Sequence, residues 1–272
     1  MTIDALAPLS LNDREPGAIK RAIGTAARQV GLDFDLLLGV AKRESSLDAD
    51  AKAATSSASG LFQFIDQTWL GAIKEYGAEI GLGDQAKTIE ATANGFTVAD
   101  PAQREAILDL RFNPSVAAKV AGKTLAAAKD RLTAALGREA SGSEVYMAHF
   151  LGERGALRML QASETSAAAE VDPRAAKANT SLFFKDGQAL SVAEFKDKLA
   201  LKIAPDGSQP SASRVPGPYR PRAAAQPVKI DYYSAPAPSS ASSLRTVSTA
   251  LTPQLQAVLL DMQTDTLLGR KD

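Results

Sequence analysis

The chain of 272 residues contains no cysteine, which excludes disulfides, thiolate metal sites and cysteine nucleophiles. Its single histidine, His149, excludes a histidine-rich metal centre, and the residues give no sign of a metal or organic cofactor. Charge of one sign is also lacking. Thirty-one basic side chains balance thirty-one acidic ones, so no overall bias draws the molecule to nucleic acid or an anionic membrane. No segment approaches the ~20 apolar residues of a membrane span, so no integral membrane segment is expected. The start, "MTIDALAPLSLNDREPG", has neither a basic beginning nor an apolar run of signal-peptide length, and no conventional export signal is expected there.

What is present is helical periodicity. Glu15-Pro16 predicts a helix start, Ile19, Ile23, Ala26 and Val30 recur at helical spacing, and Gly31 ends the run. Asp33 is placed to cap a second helix with Phe34, Leu37, Leu38 and Ala41 on one side. Glu44, three residues beyond Ala41 and seven beyond Leu37, continues that side and points inward. Further helical patterns cover 66–80, 101–110, 114–136, 144–162 with a break at Gly152, and 191–203. Strand signals are few: "GLFQF" at 60–64, and "SLFF" at 181–184 before the turn-like Lys185-Asp186-Gly187.

Composition shifts after residue 204. Eight of the fourteen prolines fall in 205–249, with five basic residues against two acidic and few large apolar side chains. Such a segment cannot bury enough apolar surface to order itself and reads as an extended linker. From 250 to 272 helical spacing returns, with Leu255, Val258, Leu259 and Met262 along one side. A lone helix of that length is marginal in water, so its stripe needs a surface, either on the main domain or on a partner. The expected organisation is an N-terminal extension (1–14), a mainly α domain (15–204), a disordered Pro/Ser/Ala-rich linker (205–249) and a short amphipathic C-terminal helix (250–272).

Three ordered elements carry the chemistry. Glu44-Ser45 closes the second helix, Gly60-Leu61-Phe62-Gln63 follows after a small polar stretch, and Thr68-Trp69 comes next. A later stretch reads "YMAHFLGERGA" at 146–156. Together these resemble the catalytic region of lysozyme-like lytic transglycosylases, in a branch with Ala-His-Phe-Leu-Gly where the better-known branch has Ala-Tyr-Asn-Ala-Gly. Phe150 therefore stands where an asparagine is usual, and a substrate-orienting amide is missing. The resemblance spans about residues 15 to 200. It implies a lysozyme-like α+β domain with a minimal β element. It also implies cleavage of the β-1,4 bond between N-acetylmuramic acid and N-acetylglucosamine in the peptidoglycan of a Gram-negative periplasm or cell envelope.

The chemistry is coherent from the residues upward. A glycosidic oxygen is a poor leaving group and needs a carboxylic acid still protonated when substrate arrives, which burial at an apolar helix end would favour. Hydrolysis calls for a second carboxylate, yet Asp48, Asp50 and Asp66 lie in or beside the polar loop with no evident reason to face Glu44. A single-glutamate route is the better fit. The substrate's N-acetyl oxygen stabilises the cationic centre, and Glu44, now a base, deprotonates the muramic C6 hydroxyl to give a 1,6-anhydromuramyl end. By resemblance, Ser45 and Gln63 bond near the acetamido group, Tyr146 lies across the cleft toward Glu44, and Gly60 lets backbone approach the sugar. Phe62 and His149 complete the substrate-binding set.

Each residue has a plainer alternative. Glu44 could be an exposed helix-end carboxylate paired with Lys42 or Arg43, Gln63 a loop-stabilising amide, and Tyr146 a core aromatic. His149 could be a packed structural histidine, while Phe62 and Trp69 fit a core. At the level of function the alternatives are a muramidase that uses water, and a non-catalytic glycan-binding or scaffold component of an envelope-spanning machine. Such a machine would be met through the linker and C-terminal helix.

Overall fold

Pro16 opens α1 (Pro16–Val30), and Gly31 closes it in the left-handed region (φ 71°), donating its N–H to the Ala27 carbonyl. The structure, a computed structural model, describes residues 11–203; the linker, the C-terminal helix and most of the N-terminal extension expected above lie outside the described residues. Asp33 caps α2 (Phe34–Ser45): one carboxylate oxygen accepts the N–H groups of Asp35 (2.7 Å) and Leu36 (3.1 Å). The inward side of α2 is Leu36, Leu37, Val40 and Ala41. Phe34, expected on that side, is instead 39% exposed. As the first residue of the helix its side chain leans back over the turn before it, and its ring lies beside Gly24 of α1.

The chain continues through α3 (Asp66–Tyr76), a 3-10 turn at Gly77–Ile80, α4 (Gly83–Thr88), β1 (Ile89–Thr92), β2 (Gly95–Val98), α5 (Pro101–Asp109), a 3-10 turn at Leu110–Phe112, and α6 (Pro114–Leu136). Then follow α7 (Gly142–Gln161), α8 (Ala168–Val171), α9 (Pro173–Ala178), α10 (Thr180–Phe183), β3 (Phe184–Lys185), β4 (Gln188–Ala189) and α11 (Val192–Leu201). The fold is mainly α, with β1 paired to β2 and β3 to β4 as two small sheets. Among the described residues no helix is long and apolar enough to cross a membrane.

The described chain falls into two compact units, one of residues up to Glu90 plus Phe96–Ala126, the other of Ala91–Gly95 and the residues from Ala127. The first is built around Trp69, Leu70, Ile73, Leu82, Ile89, Val98, Ile107, Val116 and Val120. Each such side chain contributes about 1.5–3 kcal/mol when fully buried. Trp69 is fully buried and donates its indole N–H to the Ile107 carbonyl at 2.7 Å, which fastens α3 to α5. The Gln67 amide pairs with both main-chain groups of Phe96, donating at 3.1 Å and accepting at 2.7 Å, and so ties β2 to α3.

In the second unit Phe183 and Phe195 stack with ring centroids 4.5 Å apart, joining α10 to α11. Ser141 and Ser191 each form a capping box with the glutamate three residues on, Glu144 and Glu194. Gly152 breaks α7 at φ 74°, where the sequence predicts a break.

Both expected strands are revised. Residues 60–63 form a turn, with only isolated bridges from Ser59 to Lys52 and to Phe64, because the left-handed Gly60 and Gln63 curl the chain out of extended geometry. Residues 180–183 form a helical turn, and the strand begins only at Phe184. Asp186 and Gly187, both at positive φ, then make the tight turn to β4.

Candidate active site

Glu44 is the second-last residue of α2 and is half-buried, one helical turn beyond the buried Val40 and Ala41. The helix stops one residue later. Ser46 (φ 56°) and Leu47 (φ 69°) are both left-handed, and Ser46 donates its N–H to the Lys42 carbonyl. A bulky residue such as leucine rarely adopts that conformation. Four non-glycine residues have positive φ among the described residues, and three of them, Ser46, Leu47 and Gln63, flank the glutamate's helix end or sit in the loop at 60–63. Strained backbone of this kind gathers at functional sites, where surrounding structure holds it.

The two motif elements meet through Ser45. Its hydroxyl, near the Ala41 carbonyl at 3.3 Å, donates at 2.9 Å to the Leu61 carbonyl, sixteen residues on. The Ser45 proton is thereby spent on the main chain, leaving the oxygen to act only as an acceptor. Gln63 is engaged in a comparable way. Its amide nitrogen donates to the carbonyls of Gly60 (2.9 Å) and Ala51 (3.2 Å), so the amide closes its own loop while Oε1 takes no part in those bonds. The amide nitrogen of Gln63 thus braces its own loop.

Gly60 is required by its surroundings without recourse to a sugar. At φ 76°, a Cβ there would stand 2.1 Å from the Arg111 carbonyl oxygen. Phe62 is 5% exposed and belongs to the core, with almost no surface left for a substrate. Thr68 is half-buried in the first turns of α3, and Trp69 is core.

Tyr146 and His149 belong to the second unit, on the stretch of α7 before Gly152. Tyr146 is 1% exposed and His149 half-buried, their rings 6.2 Å apart and tilted by 31°. The structure thus brings together Glu44, Ser45, Gly60, Phe62 and Gln63 in one unit, and Tyr146 with His149 in the other.

The acids in or beside the polar loop each have a hydrogen-bond or ionic partner. Asp66 accepts from Arg111 (2.8 Å) and Arg104 (2.9 Å), Asp50 pairs with Arg14 (2.8 Å), and Asp48 accepts the Asp50 N–H (2.9 Å). Arg111 itself, absent from any motif, is the feature a sequence reading misses. Its guanidinium is buried in the first unit and donates to three main-chain carbonyls. Burial pulls its pKa below the ordinary arginine value, with the facing Asp66 carboxylate acting in the other direction. An arginine followed by no motif carries no sequence mark of this role. A separate open groove of about 690 Å³, lined by α1 and the start of α2 (Lys20, Arg21, Arg28, Phe34), contains none of the candidate residues. No family model matches the chain.

Proposed function

We propose that this protein cleaves the β-1,4 bond between N-acetylmuramic acid and N-acetylglucosamine in peptidoglycan, in the manner of a lytic transglycosylase, with Glu44 as the acid and then the base. The observation that carries the reading is the 2.9 Å hydrogen bond from Ser45 to Leu61, which fixes the Glu44 helix end to the Gly-Leu-Phe-Gln loop. A chain merely sharing scattered residues with such enzymes has no reason to join these two elements.

In this reading Glu44 donates its proton to the glycosidic oxygen as the bond to the muramic C1 breaks. The substrate's N-acetyl oxygen meets the cationic carbon. Glu44 then takes the proton of the C6 hydroxyl as that oxygen closes on C1, giving the 1,6-anhydro end and regenerating the acid. General acid and base assistance of this kind contributes ~10²–10⁴-fold. The engagement of Asp48, Asp50 and Asp66 with other partners supports one carboxylate over two, since hydrolysis would need a second one free near the first. The site's place is the cell envelope, where the polymer is.

The test is digestion of purified sacculi followed by mass spectrometry of the released muropeptides. Anhydromuramyl ends are expected from the wild type and none from Glu44→Gln, which keeps the shape and the fold. Reducing ends alone would make the protein a muramidase. Undiminished release by the variant would overturn the role of Glu44, and no release by either protein would leave a binding or scaffold component.

A further inference from the structure

We propose that Arg111 is a positioning residue: it pins the Gly60–Gln63 loop against the helix end that carries Glu44, and its catalytic consequence rests on the glycan-cleaving reading above. Arg111 lies in the 3-10 turn after α5, and its side chain is 8% exposed. Its Nη1 donates to the carbonyls of Ser57 (2.8 Å) and Phe64 (3.1 Å) and to Asp66 Oδ1 (2.8 Å), while Nε donates to Leu108 (2.9 Å). One nitrogen therefore holds both ends of the loop, seven residues apart in sequence. The other Asp66 oxygen is held by Arg104 at 2.9 Å, so the carboxylate cannot swing away freely.

The backbone of the same residue shapes the loop from beneath. The Arg111 carbonyl occupies the space that a side chain at 60 would need, which lets Gly60 come down onto it. From there Leu61 presents its carbonyl to Ser45, and Gln63 turns left-handed at φ 50°. A turn with two left-handed residues does not hold itself; it persists only when its surroundings over-determine it. A buried cation is also a costly way to obtain stability alone, because its desolvation offsets much of what its bonds contribute. Its five donors in a rigid fork suit it to fixing several carbonyls in place, a task that a lysine ammonium performs poorly.

The experiment compares the full-length wild type with Arg111→Lys, using two independent readouts. The first is hydrogen exchange at the amides of Ser59, Gly60 and Gln63, which donate to Phe64, Ala51 and Gly60. Arg111→Lys is expected to raise exchange there about tenfold or more while amides of α7 and α11 keep their protection, the local opening expected when a loop loses its anchor. The second is the initial rate of muropeptide release per folded molecule, with sacculus binding measured by co-sedimentation. The rate is expected to fall about tenfold to a hundredfold with binding little changed, since small misplacements of a site cost that much. If Arg111→Lys fails to fold, Asp66→Asn, which keeps the carboxylate's shape and an acceptor oxygen, goes through both measurements. Loop amides as protected as in the wild type, or an unchanged rate per folded molecule, overturn the positioning role. A wild type that releases nothing defeats the glycan-cleaving reading instead, and the exchange data still decide whether Arg111 holds the loop.

Discussion

The Ser45 hydroxyl donates to the Leu61 carbonyl at 2.9 Å, and this bond between residues sixteen apart in sequence joins the helix that carries Glu44 to the loop that carries Gln63. Both ends of the interval are also fixed by conformation. The helix ends in two left-handed residues, Ser46 and Leu47, and the loop turns through left-handed Gly60 and Gln63. A glutamate placed so late in a helix is usually free to fray with the last turn; here the residue after it is tied down.

Ser45→Ala removes that tie and leaves the Leu61 carbonyl without its donor in a buried place. The expected cost is about 1–3 kcal/mol, the range for a buried acceptor left without its donor. Urea denaturation measures it. Muropeptide release should fall by more than the lost stability explains, because α2 and the loop are then free to separate. A variant equal to the wild type in both respects would make the bond incidental.

Gly60→Ala and Gly81→Ala separate close approach from conformation. Both glycines are left-handed, at φ 76° and 87°, but a Cβ at 60 would stand 2.1 Å from a backbone oxygen and one at 81 would meet nothing within 4 Å. At 81 only the left-handed penalty applies, about 1–2 kcal/mol. At 60 a steric cost of about 1–3 kcal/mol adds to it, because the obstacle is main chain and not the end of a flexible side chain. Thermal unfolding of the two variants side by side should show Gly60→Ala as clearly the worse.

Legibility in the sequence followed the range of the physics. The helices at 16–30, 34–45, 114–136 and 142–161 were legible because their signals are local: a proline at the first turn, Asp33 as cap, a glycine at the break. The turn at 60–63 resembles a strand in sequence because its aromatic and leucine residues suit one, whereas its shape is held by Arg111, some fifty residues away. Spacing alone puts Phe34 inward, but a side chain at a helix start leans away from the turns that follow. The hairpin of β1 and β2 leaves no readable mark: Ile89 and Val98 are its buried residues, and four-residue strands give too little alternation to stand out. Of the candidate site, the motif residues stand out in the sequence and their hydrogen-bond partners do not. Ser45 and Gln63 spend their donors on carbonyls, and carbonyls leave no trace in a sequence.

The sole tryptophan should prove structural. Trp69→Phe keeps the aromatic contact with Phe64, now 5.3 Å between centroids and edge-on, but it removes the donor that the Ile107 carbonyl receives. An acceptor left unpaired in a core costs about 1–3 kcal/mol, and the void left by the smaller ring adds to that. Circular dichroism is the readout, since the variant has no tryptophan emission. A loss under about 0.5 kcal/mol would mean that water reaches Ile107 and that the core around α3 is looser than its burial implies.

Acid should weaken the start of α7 through Glu144. Burial works to raise the pKa of this carboxyl, yet hydrogen bonds from Arg138 and from the N–H and hydroxyl of Ser141, with the Arg138 charge, together hold it below its ordinary value of 4.5. A carboxyl with a depressed folded-state pKa stabilises the fold above its unfolded pKa, and that contribution disappears as pH falls through the folded-state value. Glu144→Gln keeps a residue suited to the capping box with Ser141 but gives up the charge facing Arg138. Because Arg138 is exposed, the difference in unfolding free energy between wild type and variant should be small at neutral pH, a few tenths to about 1 kcal/mol. It should narrow toward zero once the solution is more acidic than the carboxyl's ordinary value of 4.5. A difference that stays constant, or widens, on acidification would show that Glu144 acts through its shape and not through its charge.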